Sequence, residues 1–539
     1  MTPQLDKPEA PARDDGRPLL PHRTHKPVLP APNLLTLLFL LLLFAIYWRP
    51  FADLDFTWQV RTGGEIVRSG NLRVEDSFTY TIDGKHLPDF EWLYEVFLWG
   101  VWTVSGYGGL HLLKTLCVLT PLLLVGWRLR REGVGWHAVI ASIVVAILVL
   151  IPTWNLRPFY CTTIGLLLLS GWLHDHCNGR RAISWEVPLL MLVWGNTHPG
   201  VITGQGLLAG AIGWEWINRR LRLNSPLDRA ACWRLTVVGG LGLLASLICP
   251  GPIERLRYTF NPDLAHPVMR GFVEMQPLYR FALTPPYLGG LTYLVAALVV
   301  LTLVRRFRGY RLWEVALLAG LALLANFALR SLQDWLLVML AVGVPHVVAL
   351  FRDSALASFH ARKRSGLFHD LWVAERTAKR VLTAPAFRFQ RVWAVTLIVL
   401  LAVFSLTPAL AGLVPRQHGV DWPVGVVDHI EKQNLRGHFF CNANHGAYLV
   451  WRRGPDTARC YVDTRGFFFP PQYLEDALFI PQLGDDWRGR LRRVLDLGTD
   501  YFLFETNGEP GALWRALEEH VEPLYRDGDT VLLRADEVR

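Results

Sequence analysis

The chain has 539 residues, of which 51% are hydrophobic and only 19% are charged, and its mean hydropathy is +0.24. A soluble chain carries about 25% charged residues. Here the charge is missing from long apolar runs such as Leu34–Trp48, Ile140–Ile151 and Ala394–Phe404. This composition excludes a soluble enzyme, a disordered protein and a disulfide-held scaffold, and it predicts a polytopic membrane protein.

The formal net charge of +9 does not indicate a nucleic-acid partner, because of where the charge lies. Residues 414–539 carry 15 Lys and Arg against 20 Asp and Glu, so the excess positive charge belongs to the first 413 residues. There it forms short clusters between apolar segments, which are Arg128–Arg131, Arg180–Arg181, Arg219–Arg222 and Arg305–Arg308. Such clusters keep a loop in the cytoplasm, so the basic charge reports topology.

Hydropathy divides the first part of the chain into a tail and eleven predicted spans. Residues 1–33 are rich in Pro and charge and are predicted to form a disordered cytoplasmic tail. A span needs about 20 apolar residues. On this measure α-helical spans are predicted near 33–49, 108–127, 136–153, 158–174, 185–198, 200–217, 233–250, 286–304, 311–328, 332–350 and 392–413.

The charges of the loops orient these spans. With eleven crossings, every basic cluster and the basic loop 352–391 fall on the side of the N-terminal tail. The loop 49–108 lies opposite, with 9 acidic against 5 basic residues. We therefore expect an integral protein of the bacterial inner membrane with a cytoplasmic N-terminus. Its transmembrane domain is predicted over 34–413, and an exported domain is predicted over 414–539.

The first exported loop begins with two aspartates, Asp53 and Asp55, directly after the first span. An amphipathic helix is predicted to follow Asp55 and to end at Gly70, and a hairpin to turn at Asp83-Gly84. A partly buried carboxylate here could take a proton from a hydroxyl group. Two neighbouring carboxylates could instead hold a divalent cation, and the simplest alternative is a helix-capping aspartate.

A surface helix is predicted to open at Glu91, which places Glu91 and Glu95 at i and i+4 on one face. More polar residues lie at the outer ends of later spans, where burial is costly: Arg157, Asn196, His198 and Arg330. Arg157 and Arg330 could bind a lipid phosphate, and His198 and Asn196 could orient sugar hydroxyls or an acceptor. Alternatively, the arginines only reach toward lipid headgroups.

After Pro415 the sequence changes to short alternating elements, which predict a small α/β domain with a mostly parallel sheet. Strands are predicted at 437–441, 458–462, 500–504 and 530–533, and helices at 424–433, 446–452, 473–479, 487–497 and 512–520. Cys441 and Cys460 belong to two of these strands. They could form a disulfide in an oxidising compartment or remain two buried thiols.

This layout resembles the GT-C superfamily of integral-membrane glycosyltransferases. The resemblance is carried by a single span followed at once by Asp53 and Asp55, by the amphipathic helix Arg61–Gly70, and by the later spans and exported domain. It implies a polyprenyl-phosphate-linked sugar donor, transfer with inversion on the outer face, and an aspartate of the first loop as the base. The acceptor would be a lipid, a glycan or a protein.

Two other functions remain open at this point. A transporter or flippase of lipid-linked glycans would also be polytopic, although such proteins usually show repeated halves, which this sequence does not. A non-catalytic assembly protein could display the exported domain, but one span would be enough to anchor it. The glycosyltransferase interpretation leads, with Asp53 and Asp55 catalytic and Glu91, Glu95, Arg157, Asn196, His198 and Arg330 binding the substrates.

Overall fold

A computed structural model describes residues 51, 54–72, 74–87, 89–222, 227–260, 266–268, 272–283, 289–361 and 422–538. The predicted tail, the predicted spans 33–49 and 392–413, and nearly all of the basic loop 352–391 lie outside these residues.

The first loop contains one helix and one very short hairpin. Helix α1 (Asp55–Ser69) ends at Gly70, which takes the left-handed conformation with φ +68° that favours glycine. Strands β1 (Val74–Glu75) and β2 (His86–Leu87) pair antiparallel. The sequence pattern predicts a hairpin of residues 76–81 and 84–90 around the turn at Asp83-Gly84, and this extent is wrong, because the backbone of residues 78–80 pairs elsewhere.

Nine helices of the described chain correspond to the nine spans predicted there. They are α2 (Trp92–Arg131), α3 (Trp136–Leu150), α4 (Phe159–Cys177), α5 (Glu186–Gly195), α6 (Val201–Leu221), α7 (Arg229–Ala245), α9 (Gly289–Arg306), α10 (Leu312–Phe327) and α11 (Leu332–Ala361), with the short α8 (Pro252–Thr259) between α7 and α9. Helix α2 is broken at Gly106, where φ is 53° and ψ is −143°. Its first part is the predicted surface helix and its second part is the predicted span.

By length and composition, four helical segments of the described residues are able to cross a membrane: Trp92–Arg131, Trp136–Thr153, Gly289–Gly309 and Leu329–Arg352. Two shorter helices, α5 and α10, are also apolar. The helices leave large apolar side chains uncovered, such as Leu123 at 52% and Leu323 at 75% exposure. A helical bundle with an apolar outer surface is what a lipid environment requires, so the chain is a polytopic membrane protein.

Close helix contacts in the bundle depend on glycine. Trp194, at the end of α5, is 1% exposed and lies between Gly165 of α4 and Gly204 of α6. A Cβ at Gly165 or Gly204 would approach its ring to 2.5 or 2.4 Å. Only glycine leaves room for the indole here. This packing fixes the α5–α6 connection, which carries two of the predicted site residues.

The C-terminal residues form an α/β unit around a five-stranded sheet. Its elements are α12 (Val424–Lys432), β3 (Gly437–Phe440), α13 (Ala443–Arg453), β4 (Ala458–Cys460), α14 (Pro471–Phe479), α15 (Trp487–Asp496), β5 (Tyr501–Glu505), α16 (Ala512–Leu517), β6 (Tyr525–Asp527), β7 (Thr530–Arg534) and α17 (Ala535–Val538). Cys441 and Cys460 are both buried free thiols.

The sheet is mixed, which corrects the prediction of a mostly parallel one. The strand order is β4-β3-β5-β7-β6. Strand β3 is parallel to β4 and β5, whereas β7 is antiparallel to β5 and β6. Strands β6 and β7 are joined by the two residues Gly528-Asp529, because Asp527 pairs directly with Thr530. A two-residue connection permits only antiparallel pairing.

The first loop extends this sheet at its β4 edge. The Cys460 amide donates to the Phe78 carbonyl over 3.1 Å, and the Tyr80 amide donates to the Cys460 carbonyl over 3.2 Å. The Arg465 guanidinium, between β4 and α14, is ion-paired with Asp76 and Asp463. The loop and the α/β unit therefore pack on each other at one end of the helical bundle.

Candidate active site

Asp55 is the first residue of α1, and its carboxylate is ion-paired with Arg157 at 3.2 Å between Oδ2 and Nη2. The residue at the N-cap position is Leu54, and no side chain caps the helix. Asp55 is therefore not the capping aspartate of the alternative interpretation. Its side chain is 18% exposed, so the carboxylate is recessed but still reachable. Asp53, the other predicted base, lies outside the described residues.

Arg157 connects two parts of the site. Its Nη2 faces Asp55, while its Nη1 donates to Oε2 of Glu274 over 2.7 Å. Arg157 lies just before α4, and Glu274 lies in the segment between α8 and α9. A planar guanidinium can serve two carboxylates at once because its donors point in fixed directions. Arg157 thus ties the first loop to a loop more than a hundred residues later in the chain.

Helix α1 is held from two sides, which fixes the direction of Asp55. Gly63 lies against α2 so closely that a Cβ there would be 2.1 Å from the Glu95 carbonyl oxygen. On its other side, the Arg61 guanidinium donates to the Trp451 carbonyl of α13 over 2.6 Å. The Thr57 hydroxyl also contacts the Ala447 carbonyl of the same helix at 3.4 Å. The α/β unit thus supports the helix that carries the candidate base.

Glu91 immediately precedes α2 and is the second acidic group of the site. The Gln59 amide donates to its Oε2 over 3.3 Å, and its Oε1 is 3.8 Å from Nε2 of His198. Burial raises the pKa of Glu91 to about 8, and the nearby charges of Asp89 and Asp55 add to the increase. Near neutral pH Glu91 is therefore mainly a neutral carboxylic acid that can donate a hydrogen bond.

His198 is oriented by the α5–α6 connection. Its Nδ1 accepts a hydrogen bond from the Gly200 amide over 3.1 Å and is 2.7 Å from the Thr162 hydroxyl. The Trp194 indole donates to the same hydroxyl over 3.0 Å. Burial and the neighbouring Arg330 lower the pKa of His198 to about 3. The imidazole is thus neutral, and because Nδ1 accepts, its proton lies on Nε2, which faces Glu91.

Arg330 completes the set from the short turn Leu329–Ser331 before α11. It is exposed, and its charge reaches Glu91, His198 and Tyr258. Tyr258 is in turn influenced by Glu91 and Glu274. Glu274 binds Arg157, and the charge of Asp55 acts on Glu91. Both predicted phosphate-binding arginines therefore border one group of acidic side chains, which is Asp55, Glu91 and Glu274. Two cations beside recessed carboxylates suit a ligand that carries both phosphate and hydroxyl groups.

Two predicted binding residues are engaged within the protein. The Asn196 side-chain Oδ1 accepts from the Trp92 indole over 2.7 Å, and its Nδ2 donates to the Leu192 and Ile248 backbone carbonyls. Its visible role is to hold the start of α2. Glu95 is 1% exposed and its carboxyl group is hydrogen-bonded to Asp89, so it is buried within the protein. Burial raises the pKa of Asp89 to about 6.

Several side chains of the site were not among the predicted ones, namely Gln59, Asp89, Tyr258 and Glu274. Gln59 follows Asp55 by four residues, so helical spacing alone could have placed it on the same face. Asp89 lies in an irregular segment, Glu274 lies in a single 3₁₀ turn (Val273–Met275) and Tyr258 lies in the short helix α8, so spacing from Asp55 carries no such signal for them. Within the described residues no three His, Cys, Asp or Glu side chains are grouped as metal ligands.

No family model and no curated protein matches the sequence. Solved structures do resemble the fold. The oligosaccharyltransferase of Archaeoglobus fulgidus in its apo form is 12% identical with a TM-score of 0.52, over 87% of this chain and 69% of that one. The same archaeal enzyme, AglB, in complex with an inhibitory peptide and a dolichol-phosphate, gives the same identity and TM-score over 88% and 69%. ArnT from Cupriavidus metallidurans is 14% identical with a TM-score of 0.48, over 93% and 97%.

The likeness to AglB concerns the fold, since so low an identity carries no activity with it. AglB is a membrane glycosyltransferase of the GT-C superfamily. The resemblance derived from the sequence is thus confirmed for the fold, and the subfamily remains unassigned.

Proposed function

We propose that the protein transfers a sugar from a polyprenyl-phosphate donor to a hydroxyl or other nucleophile of a lipid, glycan or protein acceptor. The proposal rests on the environment of Asp55. Its carboxylate is recessed, does not cap a helix, and lies between Arg157 and the neutral Glu91. The AglB structure with a bound dolichol-phosphate supports a lipid-phosphate donor for a chain of this fold.

In the proposed reaction Asp55 accepts the proton of the acceptor. The acceptor oxygen then forms a bond to the anomeric carbon, while the bond from that carbon to the phosphate oxygen breaks and polyprenyl phosphate leaves. A single displacement of this kind inverts the anomeric centre. Arg157 and Arg330 would stabilise the negative charge that develops on the departing phosphate. This stabilisation would be greatest in the transition state and after it, where the charge on the phosphate is largest. Asp53 would orient Asp55 or share in holding a divalent cation.

Glu91 and His198 would bind the sugar in their neutral forms. A neutral carboxylic acid and an Nε2–H imidazole are both hydrogen-bond donors, and the 3.8 Å between them is too long for a direct hydrogen bond. A sugar hydroxyl could therefore accept from either group. Neutral donors also avoid the repulsion that a second carboxylate would impose on the donor phosphate.

The orientation in the membrane is part of the proposal. We place the N-terminus in the cytoplasm and the site, the first loop and the α/β unit over 414–539 on the outer face. The packing of the loop on the α/β unit supports a common side for both. Reporters fused after Gly84 and after Arg539 should read as exported, and one fused after Arg222 as cytoplasmic. A cytoplasmic reading after Arg539 would refute this orientation.

The catalytic assignment is tested by replacing Asp55→Asn and following labelled lipid-linked sugar in membranes. Loss of a general base lowers the rate by about 10²–10⁴-fold. Asp83→Asn is the matched control, because Asp83 lies in the same loop and, in the part of the chain that the structure describes, forms its ion pair with Arg459 at the surface. If Asp55→Asn and Asp83→Asn both transfer at the wild-type rate, Asp55 is not the base.

A further inference from the structure

Arg128, in the last turns of α2, is a buried cation far from the site described above. It is 5% exposed. Among the described residues its side chain has no hydrogen bond or ion pair, and its Nε is a buried donor with no partner. A buried guanidinium without a hydrogen-bonding partner is costly, because its hydration is lost and nothing replaces it. Such a group calls for an anion.

Three carboxylates lie within electrostatic reach of Arg128, and each already contacts another basic side chain. They are Glu132, Glu314 and Asp175. Glu132 is paired with Arg180 at 2.6 Å, Glu314 with His174 at 2.7 Å, and Asp175 with Arg131 at 2.7 Å. Their field steadies the charge of Arg128, but none of them supplies a hydrogen-bond acceptor to it. The N–H donors of the Arg128 guanidinium can therefore bind an added anion.

The guanidinium lies in a narrow groove between α2 and α4. The walls are apolar or aromatic, apart from Arg128 itself: Leu124, Trp127, Leu167, Leu168, Gly171 and Trp172. Gly171 makes room for the charged group, since a Cβ there would be 2.9 Å from its Nη1. Trp127 is 50% exposed and Leu123, next to the groove, is 52% exposed. The groove therefore opens on the surface of the bundle that faces lipid.

We propose that this groove binds an anionic phospholipid, with one phosphate oxygen reaching Arg128 and an acyl chain lying over the leucine and tryptophan side chains at its rim. Guanidinium and phosphate form strong, charge-assisted hydrogen bonds. Basic pockets between membrane helices are suited to acidic lipid headgroups. Arg131 and Arg180, which belong to two of the basic clusters, pair with Asp175 and Glu132 beside the groove, so the groove lies among basic groups that attract acidic headgroups. A free phosphate ion would use the guanidinium but would leave the apolar walls uncovered.

This site is independent of the proposed sugar transfer, and its test measures bound lipid. Purified protein in detergent is titrated with phosphatidylglycerol and, separately, with phosphatidylcholine, and the bound lipid is counted by native mass spectrometry. The wild type should retain one phosphatidylglycerol more tightly than phosphatidylcholine. Arg128→Gln should weaken that binding about tenfold or more, which is the usual effect of losing a charged hydrogen bond. Inorganic phosphate at millimolar concentration should not displace the lipid.

Arg220→Gln is the matched control, because it removes the same charge from an exposed position at the same end of the bundle. It should leave the affinity unchanged. Leu124→Trp fills the groove without changing its charge and should also lose the lipid. Arg128→Lys should retain part of the affinity, because it keeps the positive charge but loses the two parallel donors of the guanidinium. These two variants decide the matter if Arg128→Gln does not fold. Wild-type affinity in Arg128→Gln or Leu124→Trp, or displacement by inorganic phosphate, would overturn the proposal.

Discussion

Arg465 of the α/β unit and Asp76 of the first loop form an ion pair whose side chains are 3% and 0% exposed, although the two residues are 389 positions apart. Asp463 shares the same guanidinium, and the Phe78 ring lies 4.7 Å from its centre. Charges this deeply buried are tolerated only when every partner is present. The contact between the loop and the α/β unit is therefore specific rather than a loose apolar association.

Arg465→Ala should lower the stability of the folded protein by about 3–5 kcal/mol, because it leaves two buried carboxylates without a cation. The measurement is thermal unfolding in detergent, followed by tryptophan fluorescence. Arg459→Ala removes a pair with Asp83 whose side chains are 35% and 48% exposed, and it should cost about 0–1 kcal/mol. Equal unfolding temperatures for the two variants would show that the buried pair contributes nothing.

Arg157→Lys should lower sugar transfer about tenfold, because a single ammonium cannot serve Asp55 and Glu274 in the fixed geometry of the guanidinium. The measurement is the rate of labelled-sugar transfer at saturating and at limiting donor. Glu274→Gln should have a smaller effect than Arg157→Lys, since it keeps Arg157 beside Asp55. A Lys variant with wild-type rates under both conditions would contradict the phosphate-binding role.

The pH dependence of transfer should report Glu91. Its pKa is raised to about 8, so the neutral form is present below that pH and is lost as the pH increases through it. Transfer should therefore fall as the pH rises from 7 to 9. The neighbouring His198 has its pKa lowered to about 3 and Asp89 has its pKa raised to about 6, so neither titrates across this range.

Glu91→Gln mimics the neutral acid and is the control for this profile. It should keep the wild-type rate near pH 7 to within a fewfold and should remove the fall toward pH 9. A profile that is unchanged in Glu91→Gln would assign the alkaline limb to another group.

The close approach of α1 to α2 predicts a contrast between two glycines. Gly63→Ala would place a Cβ 2.1 Å from the Glu95 carbonyl oxygen, so α1 must shift, at a cost of about 1–3 kcal/mol. Transfer should fall as well, because Asp55 moves with the helix. Gly100→Ala in α2 meets nothing within 4 Å and should stabilise the helix slightly or not at all. Thermal unfolding of both variants, with a transfer assay, measures the difference.

Much of the fold could be predicted from the sequence, because apolar periodicity and charge clusters are local signals. Helices at the nine span positions inside the described residues and four of the five strands of the large sheet were located in this way. Strand β6 was missed because its sequence, Tyr-Arg-Asp, is polar and short. It forms through pairing with β7, and two of its three side chains are exposed.

The site could be predicted only in part, since its contacts join distant segments. The polar residues at span ends were predicted to share one side of the protein with the first loop, and in the structure Asp55, Arg157 and Glu91 lie within one network. No local sequence signal distinguishes Asn196 from His198, two positions later. The Asn196 side-chain amide is hydrogen-bonded within the fold, whereas Nε2 of His198 is directed at Glu91. The partnership of Arg157 with Glu274 spans 117 positions and has no periodic signature.

The pairing of residues 78–80 with β4 has a consequence for biogenesis. A ribosome adds Phe78 to the chain 382 residues before it adds Cys460, whose backbone and thiol contact the Phe78 carbonyl. During that interval α1 lacks its contacts with α13, and the backbone of residues 78–80 lacks its partner in β4. The helices between the first loop and the α/β unit are synthesised before these contacts can form. The position that Asp55 takes in the structure is therefore reached only after the α/β unit has been made.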